Sequence, residues 1–101
     1  MKISGYDFEG PHTDTANLKH AAGVYVILCK RSDGQWYVID VGESTDVRER
    51  IDNHDRKDCW KRNCQGTLGV AVLYTPGWTL EQRHALERKI RDEFSPACGE
   101  R

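Results

Sequence analysis

The sequence predicts an α+β domain in the order β-β-α-β-α, with a three-stranded antiparallel sheet and helices packed on it. Runs rich in β-branched and aromatic residues at 23–29, 36–41 and 68–75 predict the three strands. Two segments with helix-start signals and apolar residues at helical spacing follow the second and third runs. The length of 101 residues suits one domain with one small core.

The domain is expected at 22–98, after a polar N-terminal extension at 1–21 and before a tail at 99–101. Between the first two strand runs lies a polar segment with Asp33-Gly34, a strong turn signal that predicts a hairpin. Both runs are apolar at nearly every position, so we expect both faces of the hairpin to be covered.

Helix boundaries follow from capping signals. The segment 42–44 ends the second strand, and Asp46-x-x-Glu49 fits a capping box that opens a helix ending between 53 and 58. Residues 59–66 fit either a short extension of that helix or a loop. Thr79-x-x-Gln82 opens the last helix, which 95–96 (Ser-Pro) terminates. Its apolar stripe recurs every four residues, at Leu86, Ile90 and Phe94.

The charge balance narrows the classes of function. Fifteen Lys and Arg against sixteen Asp and Glu give a net charge of −1, which excludes a strongly basic nucleic-acid binder but allows a local basic patch. No apolar run is long enough to span a bilayer, and residues 1–20 lack the apolar region of a signal peptide. We therefore expect a cytoplasmic protein without a membrane partner.

The four cysteines, Cys29, Cys59, Cys64 and Cys98, are then expected to remain reduced. Cys29 lies in a predicted strand and is expected to act as a small buried hydrophobe. A rival possibility is a zinc site formed by His54, Cys59 and Cys64 with Cys98 as fourth ligand, although no Cys-x-x-Cys pair supports it.

Residues suited to phosphodiester chemistry are spread along the chain in a fixed order. Gly23-Val24-Tyr25 opens the first strand and Gly42 follows the second, while Arg50 and His54 belong to the next helix and Glu87 to the last. In this order and spacing, residues 22–98 resemble the GIY-YIG nuclease superfamily.

The resemblance implies a role for each residue. Tyr25 matches the tyrosine that acts as general base or orients the attacking water, and Arg50 matches the arginine that steadies the phosphate. His54 matches a histidine found one turn later in some members. Glu87 matches the glutamate that binds Mg²⁺ or Mn²⁺. Gly23 and Gly42 are motif glycines. The implied function is a metal-dependent endonuclease that hydrolyses DNA.

Elementary chemistry agrees with these roles. A carboxylate can hold Mg²⁺ while the ion keeps most of its waters and takes a phosphate oxygen. Arginine offers phosphate a planar fork of donors. A tyrosine needs a nearby positive charge to act as a base, since its ordinary pKa is about 10.

Two departures from the family pattern leave an alternative open. Asp40 stands where the second motif has tyrosine, and 95–98 (Ser-Pro-Ala-Cys) replaces the usual late asparagine. Asp40 could substitute as a metal ligand or proton acceptor, or it could mark an inactive relative that binds nucleic acid or protein. Plain structural roles also remain open, such as a core aromatic for Tyr25 and a helical ion pair between Glu87 and Arg83 or Arg91.

A short basic segment follows the helix that carries Arg50. It is expected to contact DNA by phosphate pairing and base stacking, unless it is a solvated loop. Its members are Arg56, Lys57, Trp60, Lys61 and Arg62. Because the chain has no room for a separate DNA-binding domain, targeting is expected to need a protein partner or a homo-oligomer.

Overall fold

The computed structural model describes residues 1–99 as an α+β fold with a four-stranded antiparallel sheet in the order β3-β6-β4-β5. A separate two-stranded ribbon pairs β1 with β2. The strands are β1 (Lys2–Ile3), β2 (Tyr6–Asp7), β3 (Glu9–His12), β4 (Gly23–Lys30), β5 (Trp36–Ser44) and β6 (Thr67–Tyr74). The helices are α1 (Val47–Asp52), α2 (Lys57–Arg62) and α3 (Leu80–Phe94). Of the predicted tail at 99–101, residues 100–101 lie outside the described residues.

The α+β class and the antiparallel hairpin are confirmed, but the prediction of a three-stranded sheet is wrong. The added strand, β3, comes from the predicted N-terminal extension and pairs Glu9 with Val72 and His12 with Val70 of β6. Its sequence, Glu-Gly-Pro-His, lacks the β-branched residues that mark a strand. Strand β5 also continues to Ser44, through the predicted break.

Helices cover both faces of the sheet, as the apolar pattern predicts. Alternate residues of β4 point to opposite faces. Val24, Val26 and Leu28 pack with Leu86 and Ile90 of α3. On the other face, Tyr25, Ile27 and Cys29 pack with residues of α1 and α2, among them Val47, Ile51 and Trp60.

Capping residues fix where the helices begin and end. The side chain of Asp46 accepts a hydrogen bond from the Glu49 amide at the start of α1. Thr79 and Gln82 form the reciprocal capping box predicted for α3. Ser95 ends α3 in the left-handed conformation, with φ of 45°. These boundaries position Arg50 near the end of α1 and Glu87 in the middle of α3.

All four cysteines form disulfide bonds, so the expectation of reduced thiols is wrong. Cys29 bonds to Cys64 and Cys59 bonds to Cys98, across sequence separations of 35 and 39 residues. The alternative of a zinc site is wrong as well, because its three cysteines are in disulfide bonds and have no thiolate that could bind zinc. Within residues 1–99, no helix is long and apolar enough to cross a membrane.

Candidate active site

The two predicted motifs meet across paired strands. Tyr25 of β4 lies opposite Gly42 of β5. A Cβ atom at Gly42 would lie 2.2 Å from the Tyr25 hydroxyl oxygen, so glycine is what lets the phenol occupy this place. Gly23 is similarly constrained, because its Cβ would lie 2.6 Å from the Leu73 carbonyl oxygen. Gly42 thus leaves the space that the Tyr25 hydroxyl occupies, and Gly23 allows the close approach of β4 to β6.

His54 holds the same hydroxyl from the other side. It follows α1, and its Nε2 lies 2.8 Å from the Tyr25 hydroxyl oxygen. Its Nδ1 accepts a hydrogen bond from the Arg56 amide at 3.1 Å. Since Nδ1 is an acceptor, neutral His54 carries its proton on Nε2 and donates it to Tyr25. The hydroxyl proton of Tyr25 then has no acceptor among residues 1–99.

Burial keeps both groups neutral near pH 7. It raises the pKa of Tyr25 to about 12, although the positive charges of Arg50 and Arg56 act in the opposite direction. Burial, together with the positive charges of the same two arginines, lowers the pKa of His54 to about 4. Tyr25 is therefore an uncharged phenol in this structure, and only 1% of its surface is exposed.

Two arginines border the buried pair. The Arg50 guanidinium lies on α1, partly exposed, and donates to Asp55 at 3.1 Å. Arg56 precedes α2, and its Nε donates to Asp40 at 2.8 Å. Their charges act on both Tyr25 and His54, so an anion bound to them would change the electrostatic field at the tyrosine.

Glu87 reaches the same region from α3. It lines an open cleft of about 520 Å³ with Asp55, Arg56, Arg91 and Gly99. Burial raises the pKa of the Glu87 carboxyl, despite the opposing charge of Arg91, whose guanidinium nitrogen is 3.7 Å away. The negative charge of Glu87 is thus incompletely compensated, which suits a bound cation.

The side chains around Glu87 could bind a hard cation through one carboxylate and water, but they do not form a metal site made of protein ligands alone. No group of three or more His, Cys, Asp or Glu side chains within residues 1–99 could hold a metal ion. The neighbouring Glu43 is engaged by Arg83 at 2.8 Å and by His84 at 3.4 Å. Mg²⁺ commonly binds through one or two carboxylates and keeps several waters, so Glu87 fits as its protein ligand.

Asp40 is the centre of a buried ion-pair network. Its side chain is 0% exposed. One oxygen accepts from Arg56 Nε at 2.8 Å and from Trp60 Nε1 at 2.7 Å. The other accepts from Arg91 at 3.0 Å. A direct role of Asp40 on substrate, as predicted, would require one of these bonds to break; in the described structure it positions α2 and α3.

The predicted basic segment divides into buried and exposed members. Trp60 is 4% exposed and contacts the His54 ring at a centroid distance of 4.6 Å, so the prediction that it stacks on bases is wrong in this conformation. Lys57 donates to the Asp52 carbonyl oxygen at 2.7 Å. Lys61 and Arg62 are exposed on α2 and are accessible to a polyanion.

Sequence reasoning missed the part that Arg91 plays. Besides Asp40, it donates to the carbonyl oxygens of Val41 and Cys98, and so joins β5 to the segment after α3. The only signal in the sequence was its position four residues after Glu87, which indicated an ion pair alone.

Comparison with known protein families, curated proteins and solved structures finds no match for this chain. The residues of the site itself are therefore what indicates a function.

Proposed function

We propose that this chain is a GIY-YIG-like endonuclease that hydrolyses DNA phosphodiester bonds with Mg²⁺ or Mn²⁺. One observation carries the proposal: the Tyr25 hydroxyl, seated over Gly42 and held by His54, lies within electrostatic reach of two arginines and Glu87. A phenol, a phosphate-binding cationic border and a carboxylate suited to a hard cation are the parts that metal-assisted phosphodiester hydrolysis requires.

Each side chain has a role that follows from its contacts. Arg50 and Arg56 bind the phosphate and stabilise the charge that develops on it. His54 donates to the Tyr25 oxygen and fixes its direction, which leaves the Tyr25 hydroxyl to orient the attacking water. A cation held by Glu87 would polarise a phosphate oxygen when bound.

Nicking of supercoiled plasmid DNA in the presence of Mg²⁺ or Mn²⁺ tests the proposal. We expect Glu87→Gln and Tyr25→Phe each to lower the cleavage rate by about 100-fold or more, a typical contribution of a positioned proton-transfer group. Glu81→Gln on the same helix and Tyr37→Phe on β5 are the matched controls, because both residues lie outside the site. A purified protein that cleaves no DNA, or a Glu87→Gln variant as active as wild type, would contradict the proposal.

The alternative is an inactive GIY-YIG-like domain that binds nucleic acid or protein. The burial of Tyr25, with 1% of its surface exposed, favours it, as does the engagement of both Asp40 oxygens. On this alternative DNA binding weakens with salt and no cleavage occurs. Because Lys61 and Arg62 are the exposed members of the basic segment, replacing each by Ala should lower the salt-dependence slope by about 1.

Location and targeting belong to the same proposal. The cytoplasmic location predicted from the sequence conflicts with the two disulfides, because disulfides persist mainly in oxidising compartments. A protein partner or a homo-oligomer that directs the domain to its DNA stays a prediction. Cross-linking detects contacts with a protein partner, and light scattering with and without DNA measures whether the chain forms a homo-oligomer.

A further inference from the structure

A second cavity lies on the same face of the sheet as α1 and α2, away from the Glu87 cleft. It measures about 210 Å³. Its walls are largely apolar and come from β4, α1, α2 and β6. The apolar residues that line it are Ile27, Ile51, Trp60, Leu68, Gly69 and Val70. This cavity has no part in the proposed phosphodiester chemistry.

The size of the cavity indicates how large an occupant it takes. An apolar protein cavity of about 150 Å³ is known to bind benzene. A cavity of about 210 Å³ therefore has room for a somewhat larger flat body, such as two fused aromatic rings. Trp60, which is 4% exposed, adds only a small part of its indole to the wall, beside the apolar side chains of Ile51 and Leu68.

The polar groups of the cavity favour an anion. Lys57 and Lys61, four residues apart on α2, both line it, and none of the described lining residues is acidic. His12 lines it too, and the Nε2 atom of His12 is buried without a hydrogen-bond partner among residues 1–99. Buried polar atoms normally have a partner, so this one marks a place where a ligand or water would bind.

We propose that this cavity binds a small aromatic carboxylate, with its rings against the apolar wall and its carboxylate near the ammonium groups of Lys57 and Lys61. Opposite charge draws the anion to the two lysines, and the apolar walls bury its rings. The lining residues exclude Tyr25, Arg50 and Glu87, so the site is separate from the proposed catalytic residues, although it shares Lys57, Trp60 and Lys61 with the basic segment.

The test is a titration of the isotope-labelled protein with 2-naphthoate, followed by two-dimensional ¹H–¹⁵N NMR. We expect saturable shifts of the Trp60 indole N–H signal and of the Ile27 and Val70 amides. Naphthalene-2-carboxamide, which has the same rings without the charge, should bind more weakly. Absence of shifts up to the solubility limit, or shifts centred on Trp78 instead, would overturn the proposal.

Charge variants test the anion. The double variant Lys57→Gln/Lys61→Gln should weaken 2-naphthoate binding by roughly threefold to tenfold and leave carboxamide binding unchanged. Lys89→Gln, an exposed lysine of α3, is the matched control. Equal binding of carboxylate and carboxamide by wild type, or unchanged naphthoate binding by the double variant, contradicts an anion site. Lys61 is exposed and Lys57 is half-buried on α2, and neither belongs to the apolar core, so the variants should fold, and the same spectra verify that they do.

Discussion

Replacing Asp40 by Ala should destabilise the protein more than any single change at its exposed acids. The carboxylate is completely buried, and it accepts hydrogen bonds from Arg56, Trp60 and Arg91. Without it, the Arg91 guanidinium, which is 8% exposed, keeps its charge in a buried place, with carbonyl oxygens as its described hydrogen-bond acceptors and the Glu87 carboxylate, 3.7 Å away, as its counter-charge. Loss of the hydrogen-bonded partner of a buried charge is among the few mechanisms that give very large destabilisation.

The size of the effect follows from the loss of one partner of a buried ion pair, which costs about 3–5 kcal/mol. Domains are typically stable by about 5–15 kcal/mol, so the variant loses a large part of its total. For a domain of this length, each kcal/mol lowers Tm by roughly 4–8 °C, which gives a decrease of about 12–40 °C. Asp40→Leu combined with Arg91→Met should recover part of this loss, because no unpaired charge then remains from the Asp40–Arg91 pair.

Urea unfolding under oxidising conditions, followed by tryptophan fluorescence and circular dichroism, measures the change. Asp92→Ala on α3 is the control, because Asp92 is exposed and should change the free energy of unfolding by less than about 0.5 kcal/mol. If Asp40→Ala unfolds within about 1 kcal/mol of wild type at an unchanged m-value, then the ion-pair network does not hold α2 and α3 in place.

Three further predictions concern His54, Gly42 and the Cys59–Cys98 disulfide. The pKa of His54 is about 4 in the folded protein and 6.5 in the unfolded chain. The stability that the neutral histidine contributes is therefore complete above pH 6.5 and is lost as the pH falls toward 4, by at most about 3 kcal/mol. His54→Gln should flatten that part of a plot of Tm against pH. Gly42→Ala should displace the phenol and cost about 1–3 kcal/mol, whereas an unchanged Tm would refute the close contact. Removal of the Cys59–Cys98 disulfide by substitution of both residues with Ser should cost about 2–4 kcal/mol in urea unfolding, and equal stability with and without it would mean that the bond does not form.

Local patterns predicted the parts of the fold that local interactions determine. The β-branched run at 23–29 became β4, and the Thr79 capping box opened α3. By contrast, β3 exists because its backbone pairs with β6, and its residues carry no strand preference of their own. Pairing of this kind depends on tertiary context, which composition and spacing do not reveal.

In the candidate site, too, some features follow from the order of residues along the chain and others depend on tertiary contacts. The order of motif residues along the chain identified Tyr25, Gly42 and Glu87 through a family resemblance, and the structure places Gly42 against the Tyr25 hydroxyl. Trp60 was misassigned because a tryptophan among basic residues has the same sequence signature whether it faces solvent or the core. Its burial depends on Asp40, twenty residues earlier, which accepts the indole proton.

The electrostatics of Tyr25 separate the two candidate functions. Arg50 and Arg56 lower the pKa of Tyr25, yet burial outweighs them and the pKa stays at about 12. A phosphate bound to these arginines would neutralise part of their field, which raises the pKa of Tyr25 further. Substrate binding alone thus moves the phenol away from ionisation, so a Tyr25 that acts as a base requires another positive charge nearby. Glu87, whose carboxylate is incompletely compensated, lies where a cation would supply that charge. Loss of Glu87 should therefore abolish cleavage and leave DNA binding largely intact, whereas loss of Arg50 or Arg56 should weaken both.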